Sequence, residues 1–200
     1  DINKAVENNI LPPHVEEKET IGWTGNITEG DKNRIAENEG KRNKPYQLEY
    51  IQSDGTKVKE NFWTVGRGHR LDKKTKNWYN DKEIEEIFEQ DLKKAATLVD
   101  ELIDKSKIHP KAYGILVEMA FQMGSNKETK KGLAEFEKTI AAVNAGDYEE
   151  ASKHMLWNYN KDGSVKGKTT WNFQLPKQKS TGLNRAERLS KLMANIFVDN

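Results

Sequence analysis

Arg34-Ile35-Ala36-Glu37-Asn38-Glu39-Gly40 and, further on, Trp63-Thr64-Val65-Gly66-Arg67-Gly68-His69 bracket the stretch whose reading decides the fold. Asp31 reads as an N-cap and Gly40 as a C′ stop, which predicts a helix ending at Glu39. Tyr46 to Ser53 alternates weakly, Ser53-Asp54-Gly55-Thr56 is a turn signal, and Lys57 to Val65 returns as a second strand. The expectation is a β-hairpin with long arms. Gly66-Arg67-Gly68 lacks the ending of a phosphate-cradling loop and follows a hairpin, so its glycines are expected to turn the backbone tightly beside a cleft. Glu39 and Thr64, 25 positions apart in the chain, are expected to face that cleft.

Outward from this stretch the chain turns helical. Asn80 and Glu83 stand at capping-box spacing. Ile84, Ile87, Phe88, Leu92, Ala95, Ala96, Val99 and Leu102 then recur at helical intervals, predicting roughly 25 residues of helix over 81–105, about 37 Å long, bridging two lobes. Pro110 suits the first turn of the next helix, Lys111 to Met123, whose apolar residues on nearly every side predict the buried centre of a helical lobe. Further helices are expected over Leu133 to Asn144, Asp147 to Trp157 and Asn184 to Phe197, the last burying Leu189, Leu192 and Met193. Residues 158–180 read as a long polar surface excursion. Residues 1–30, broken by Pro12-Pro13 and three glycines, read as an arm or linker. The fold class is therefore α+β, with strands confined to the first half: an N-lobe over 31–80, the bridging helix and a C-lobe over 108–200.

Composition narrows the chemistry. The 200 residues suit one domain with a sizeable core, and charged residues make up 32% against a net charge of +1. That balance conceals an asymmetry: residues 1–39 hold nine acids and four bases, residues 160–191 eight bases and two acids. The basic segment, rich in lysine, suits either a solvated loop or an anionic polymer. The absence of cysteine removes disulfides, thiolate metal sites and a cysteine nucleophile. Four scattered histidines show no metal spacing, and no Gly-x-Ser-x-Gly elbow is present, so neither a metal nor a cofactor is expected. No apolar run approaches a membrane span, and no signal-peptide pattern is present in a chain that starts at Asp1. Carboxylate chemistry remains. A glutamate at the end of a helix, facing a hairpin in a cleft between lobes, is placed to act as a general acid, and Glu39 fits.

Glu39-Gly40, Tyr46 and Thr64-Val65-Gly66-Arg67-Gly68-His69 together resemble the signature of the T-even phage lysozyme family. Phe88 to Asp91, Met119 to Gly124 and Asn184 to Arg188 are similar to its later helices, in order, over about 31–197. The resemblance implies a lysozyme-like two-lobe fold. It implies a muramidase, a glycoside hydrolase that cleaves the β-1,4 bond between N-acetylmuramic acid and N-acetylglucosamine in bacterial peptidoglycan. It also implies action at the cell wall or periplasm, with no nucleic-acid partner and no membrane insertion. By the same resemblance Glu39 is the general acid, Thr64 helps hold the attacking water, and Phe121, Thr139 and His154 line the sugar site. Arg185 pairs with Glu39, and His69 with Asp91. Residues 1–30 are expected to serve any attachment to a larger phage or secretion assembly.

The resemblance fails at the second carboxylate. The family's aspartate register is occupied by Leu48, and the hairpin is ten residues longer. Glu49 is the preferred base, provided a bulge turns it to the cleft face; Asp54 at the turn is the other candidate. Glu118, in the apolar helix, reads as a paired or cleft-edge structural group. Two other functions remain open: a lytic transglycosylase working with Glu39 alone, and a non-catalytic wall-binding or tail module.

Overall fold

The computed structural model describes residues 23–174 and 177–196. The expected arm over 1–22, and Phe197 in the last helix, lie outside the described residues. The rest of the arm is docked: Trp23 stacks edge-on against Tyr113 at 5.5 Å, and Lys105 Nζ donates to the Gly25 carbonyl at 2.9 Å.

Helix α1 runs Glu29–Glu39, with Thr28 as its N-cap. Asp31 is thus not the cap but lies in the first turn, where its amide donates to Thr28 Oγ1 at 3.2 Å and its carboxylate accepts from the Thr28 hydroxyl at 2.8 Å. The carboxylate is buried and paired with Arg34. Gly40, at φ 67°, ends the helix and donates to the Ala36 and Glu37 carbonyls.

Five short strands follow: β1 Arg42–Tyr46, β2 Glu49–Ile51, β3 Lys57–Lys59, β4 Trp63–Gly66 and β5 His69–Leu71. The expected hairpin is broken into two ladders, a β1-β4-β5 sheet and a separate β2-β3 pair at the tip. Tyr46 faces Thr64 and Glu49 faces Lys59. The first strand thus advances three residues while the second retreats five, so two extra residues bulge at Asn61 and Phe62. The third sheet strand, β5, was not expected; Gly66-Arg67-Gly68 is the turn that creates it.

Helix α2, Asp81–Asp100, carries the Asn80–Glu83 capping box on both sides. Its 20 residues span about 30 Å, five residues short of the expectation, because Glu101 caps it and Leu102 turns back onto the Val99 carbonyl at 2.9 Å. Ile84 belongs to a small cluster with Val65 and Tyr79, whereas Phe88, one turn on, belongs to the large core. One helix therefore serves two hydrophobic centres.

Helix α3, Pro110–Met123, has Pro110 in its first turn and is buried at Pro110 and from Ala112 to Ala120. A small β6-β7 pair, Ser125–Asn126 with Lys131–Gly132, follows. The helix expected from Leu133 is a 3-10 turn, Leu133–Glu135, then α4, Glu137–Asn144, with Phe136 at ψ 51° breaking the two. Helix α5 is Tyr148–Leu156, capped by Asp147.

The expected surface excursion is partly folded structure. Strands β8, Trp157–Tyr159, and β9, Val165–Lys168, form a hairpin, and α6, Thr170–Gln174, follows. Trp171 is buried against Phe136 and donates to Gln122 Oε1 at 2.8 Å. Helix α7, Arg185–Ala194, has the Asn184–Glu187 capping box and packs on α5. Leu192, expected in the core, is 42% exposed, whereas Leu189 and Met193 are buried.

Candidate active site

Glu39 is the last residue of α1, and the Gly40 turn beyond it brings the chain straight into the sheet. Its side chain is 18% exposed, and the carboxylate accepts a 2.6 Å hydrogen bond from Arg185 Nη1. The other oxygen lies against the β4–β5 turn. A Cβ on Gly68, already at φ +87°, would sit 3.3 Å from Glu39 Oε2, so this position needs glycine for both backbone and space. Helix end and turn thus meet at Glu39.

Arg67 holds that junction. Its Nη1 donates to the Ala36 carbonyl at 2.7 Å and to the Gly40 carbonyl at 3.1 Å, and its Nη2 meets Glu85 Oε1 at 2.9 Å. A cation at a helix C-terminus satisfies orphan carbonyls and opposes the helix dipole. Behind Glu39, Arg185 Nε donates to Glu118 Oε1 at 2.7 Å, and Arg34 Nε to Glu118 Oε2 at 2.8 Å. Asn38 Nδ2 adds a 2.7 Å bond to Glu118 Oε1, and the Glu118 side chain is fully buried. Of the two roles left open for Glu118 from sequence, paired or cleft-edge, the structure shows the paired one. Its link to Glu39 was missed, although a lone acid in the apolar run of α3 was the available signal.

Thr64 is buried in β4, opposite Tyr46 on one side and Arg70 on the other. His69 Nδ1 lies 2.7 Å from Asp91 Oδ2, which joins the sheet to α2. Gly68, His69, Asp91 and Phe121 line one cleft of about 330 Å³. Phe121 is held there by an edge-on contact with Phe88 at 5.6 Å. Thr139 and His154 line a second cleft, about 320 Å³, together with Trp157, Tyr159 and Lys166 of the hairpin β8-β9. His154 Nε2 is 3.0 Å from Glu150 Oε1, and its ring meets Tyr159 edge-on at 5.1 Å. Thr139 is buried and its hydroxyl has no hydrogen-bond partner. The expected sugar-binding residues are therefore divided between two clefts.

The hairpin carboxylates stand apart. Glu49 pairs with Lys59 at 3.5 Å, both side chains more than half exposed. The Glu49–Lys59 register is regular, so Glu49 projects on the face opposite to Leu48. Asp54 is fully exposed at the turn, its carboxyl held below the usual range by the Thr56 amide and hydroxyl. Glu60 was not considered from sequence. Its amide donates to the Leu48 carbonyl at 2.9 Å, which sets it across from Leu48, beside the bulge. Its Oε2 is the one carboxylate oxygen, among the described residues, that is buried without a hydrogen-bond partner.

A small sheet joined by a bridging helix to a helical lobe, with a helix-end glutamate at their junction, is the architecture of the two-lobe lysozyme-like fold. The sequence profile described as phage lysozyme matches residues 36–171. The chain belongs to the phage lysozyme family and is a lysozyme-type, peptidoglycan-degrading enzyme. Among solved structures it is similar to the muramidase domain of SpmX from Asticaccaulis excentricus, with 18% identity and TM-score 0.55 over 86% of this chain and 98% of that one. It is similar to the endolysin of Escherichia coli O157:H7 phage FAHEc1, with 17% identity and TM-score 0.51 over 87% and 94%. The P1 phage endolysin Lyz, in its active form, matches with 16% identity and TM-score 0.50 over 92% of each chain. A search of curated protein sequences gives no match. Among the described residues no helix is long and apolar enough to cross a membrane.

Proposed function

We propose that this enzyme hydrolyses the β-1,4 bond between N-acetylmuramic acid and N-acetylglucosamine, with Glu39 as general acid. The observation that carries the reading is the Glu39 carboxylate, oriented by Arg185 at 2.6 Å and pressed against the Gly68 turn. A fixed carboxyl of this kind can protonate a leaving glycosidic oxygen. Thr64, on the strand leading into that turn, is the residue we assign to holding the attacking water.

Inverting hydrolysis needs a second carboxylate roughly 6.5–9.5 Å from the acid, with water between. Glu49 was the choice from sequence. Glu60 is favoured by a specific observation: it shares the Leu48 face and carries an unpartnered, buried oxygen, an arrangement that costs stability and that a catalytic role accounts for. Phe121 contacts sugar in the first cleft, and Thr139 and His154 contact it in the second. The lysines of the β8-β9 hairpin are exposed beside that second cleft and suit anionic wall polymers. The site of action is then the bacterial wall or periplasm.

The test is digestion of purified peptidoglycan with product masses read by mass spectrometry. Hydrolysed muropeptides from the parent, and loss of at least 100-fold in rate for Glu39→Gln, support the reading. Anhydro-muropeptides throughout would show a transglycosylase instead. An active Glu39→Gln variant would remove Glu39 from catalysis.

A further inference from the structure

Five charged side chains form one alternating row: Asp31, Arg34, Glu118, Arg185 and Glu39. They come from α1, α3 and α7, elements far apart in the chain. The row holds three carboxylates and two guanidiniums, so it carries one negative charge when Glu39 is ionised and none when Glu39 holds a proton. Buried charge is tolerated when it is paired. The row therefore balances in the form of the site that a general acid requires.

We infer that Glu118 is a positioning residue for Glu39, acting by holding and sharing the Arg185 guanidinium. Arg185 is planar and can orient only as its partners direct. Its Nε is fixed by Glu118 Oε1, which leaves Nη1 aimed at Glu39 Oε1. Without Glu118, the guanidinium is free to turn and is no longer shared. Arg34 and Asn38 hold Glu118 in turn, so α1 supplies both the acid and the support of the group that orients it.

The other charged groups near Glu39 are already engaged elsewhere. Arg67, from the β4–β5 turn, is bound to Glu85 and to helix carbonyls, His69 is paired with Asp91, and Arg188 on α7 bonds the Asn38 side chain. Arg185 is thus the cation hydrogen-bonded to the acid, and Glu118 the carboxylate that competes for it. The inference rests on the assignment of Glu39 as the acid.

Two variants give opposite signs. Glu118→Gln keeps an acceptor for Arg185 Nε and removes the competing charge. We expect its kcat on soluble peptidoglycan fragments to fall about tenfold at neutral pH, with KM within twofold. The alkaline limb of its rate profile should move down by up to about one pH unit, because removing the Glu118 charge leaves the Arg185 cation, hydrogen-bonded to Glu39, uncompensated. Arg34→Gln leaves the Glu118 charge concentrated on Arg185, and the alkaline limb should move up. A structural role alone would lower stability and leave both limbs in place. The Arg185 Nε–H proton resonance gives a second reading that does not depend on activity: it should move upfield in Glu118→Gln, with the charge-assisted bond lost. An unmoved resonance together with unmoved limbs overturns the inference. An active Glu39→Gln enzyme with a shifted Arg185 resonance would overturn the Glu39 assignment and keep the contact. If Glu118→Gln fails to fold, Arg34→Gln decides alone: an upward shift supports the inference and no shift refutes it.

Discussion

Replacing Gly114 by alanine should destabilise the enzyme although alanine is the better helix former. Gly114 lies in the middle of α3, where the Asp31 carboxylate approaches so closely that an added Cβ would collide with both of its oxygens. Asp31 is 5% exposed and is held by the Thr28 hydroxyl and by Arg34. Moving it aside breaks a buried ionic contact, at about 3–5 kcal/mol. Removing a mid-helix glycine returns about 1 kcal/mol. The net loss is about 2–4 kcal/mol, which for a chain of this size lowers Tm by on the order of 10 °C. Circular dichroism melts of the parent, Gly114→Ala, Asp31→Ala and the double variant measure it. With Asp31 removed, Gly114→Ala should cost little, so the double variant should be well short of the sum. A Gly114→Ala enzyme as stable as the parent, or additive costs, would refute the reasoning.

Other expectations follow from the same geometry. Glu60→Gln should lower hydrolysis at least tenfold with little change in Tm, whereas Glu49→Gln should stay within about threefold; the reverse ranking in a turnover assay would return the base to Glu49. Gly68→Ala places a methyl group against the Glu39 carboxylate in a positive-φ backbone, and should cost about 1–2 kcal/mol and most of the activity, read by melting and by turnover. Tyr159→Ala should raise KM for long glycan strands without changing kcat on short ones, because Tyr159 lines the second cleft and holds His154. The Glu83 carboxyl is held below its ordinary value of 4.5 by Lys76 and by the Asn80 amide. A depressed carboxyl contributes stability fully above that value and loses it as pH falls through the folded one. Lys76→Met should therefore weaken the protein at neutral pH and flatten the fall in Tm below pH 4.5.

Helix signals carried by neighbours in sequence were legible. Asn80 with Glu83, Asn184 with Glu187, and Pro110 each act within one turn, and each appears where its spacing said. Glu39 with Gly40 and the glycine turn was legible for the same reason. Asp31 was misread as a cap because its carboxylate turns to Arg34, one turn on, and packs against the remote Gly114 of α3, while Thr28 performs the capping. The hairpin at 157–168 had its Asp162-Gly163 turn in plain view, but strands of three and four residues are too short for the alternation of Trp157, Asn158 and Tyr159 to stand out beside a lysine-rich partner. Leu192 kept helical period and still faces water, since α7 buries only the faces that meet α3, α5 and α6. The pairing of Glu118 with Arg185 spans 67 positions, and nothing local announces it.

The contact between Glu39 and Arg185 spans 146 positions. Helix α1 is made early, leaves the helical lobe for the sheet, and meets its partner only when α7 has been added. A chain still emerging from the ribosome holds every other candidate catalytic group and lacks the cation that orients its acid. The orienting contact is therefore a property of the assembled fold, absent from any fragment that lacks either helix.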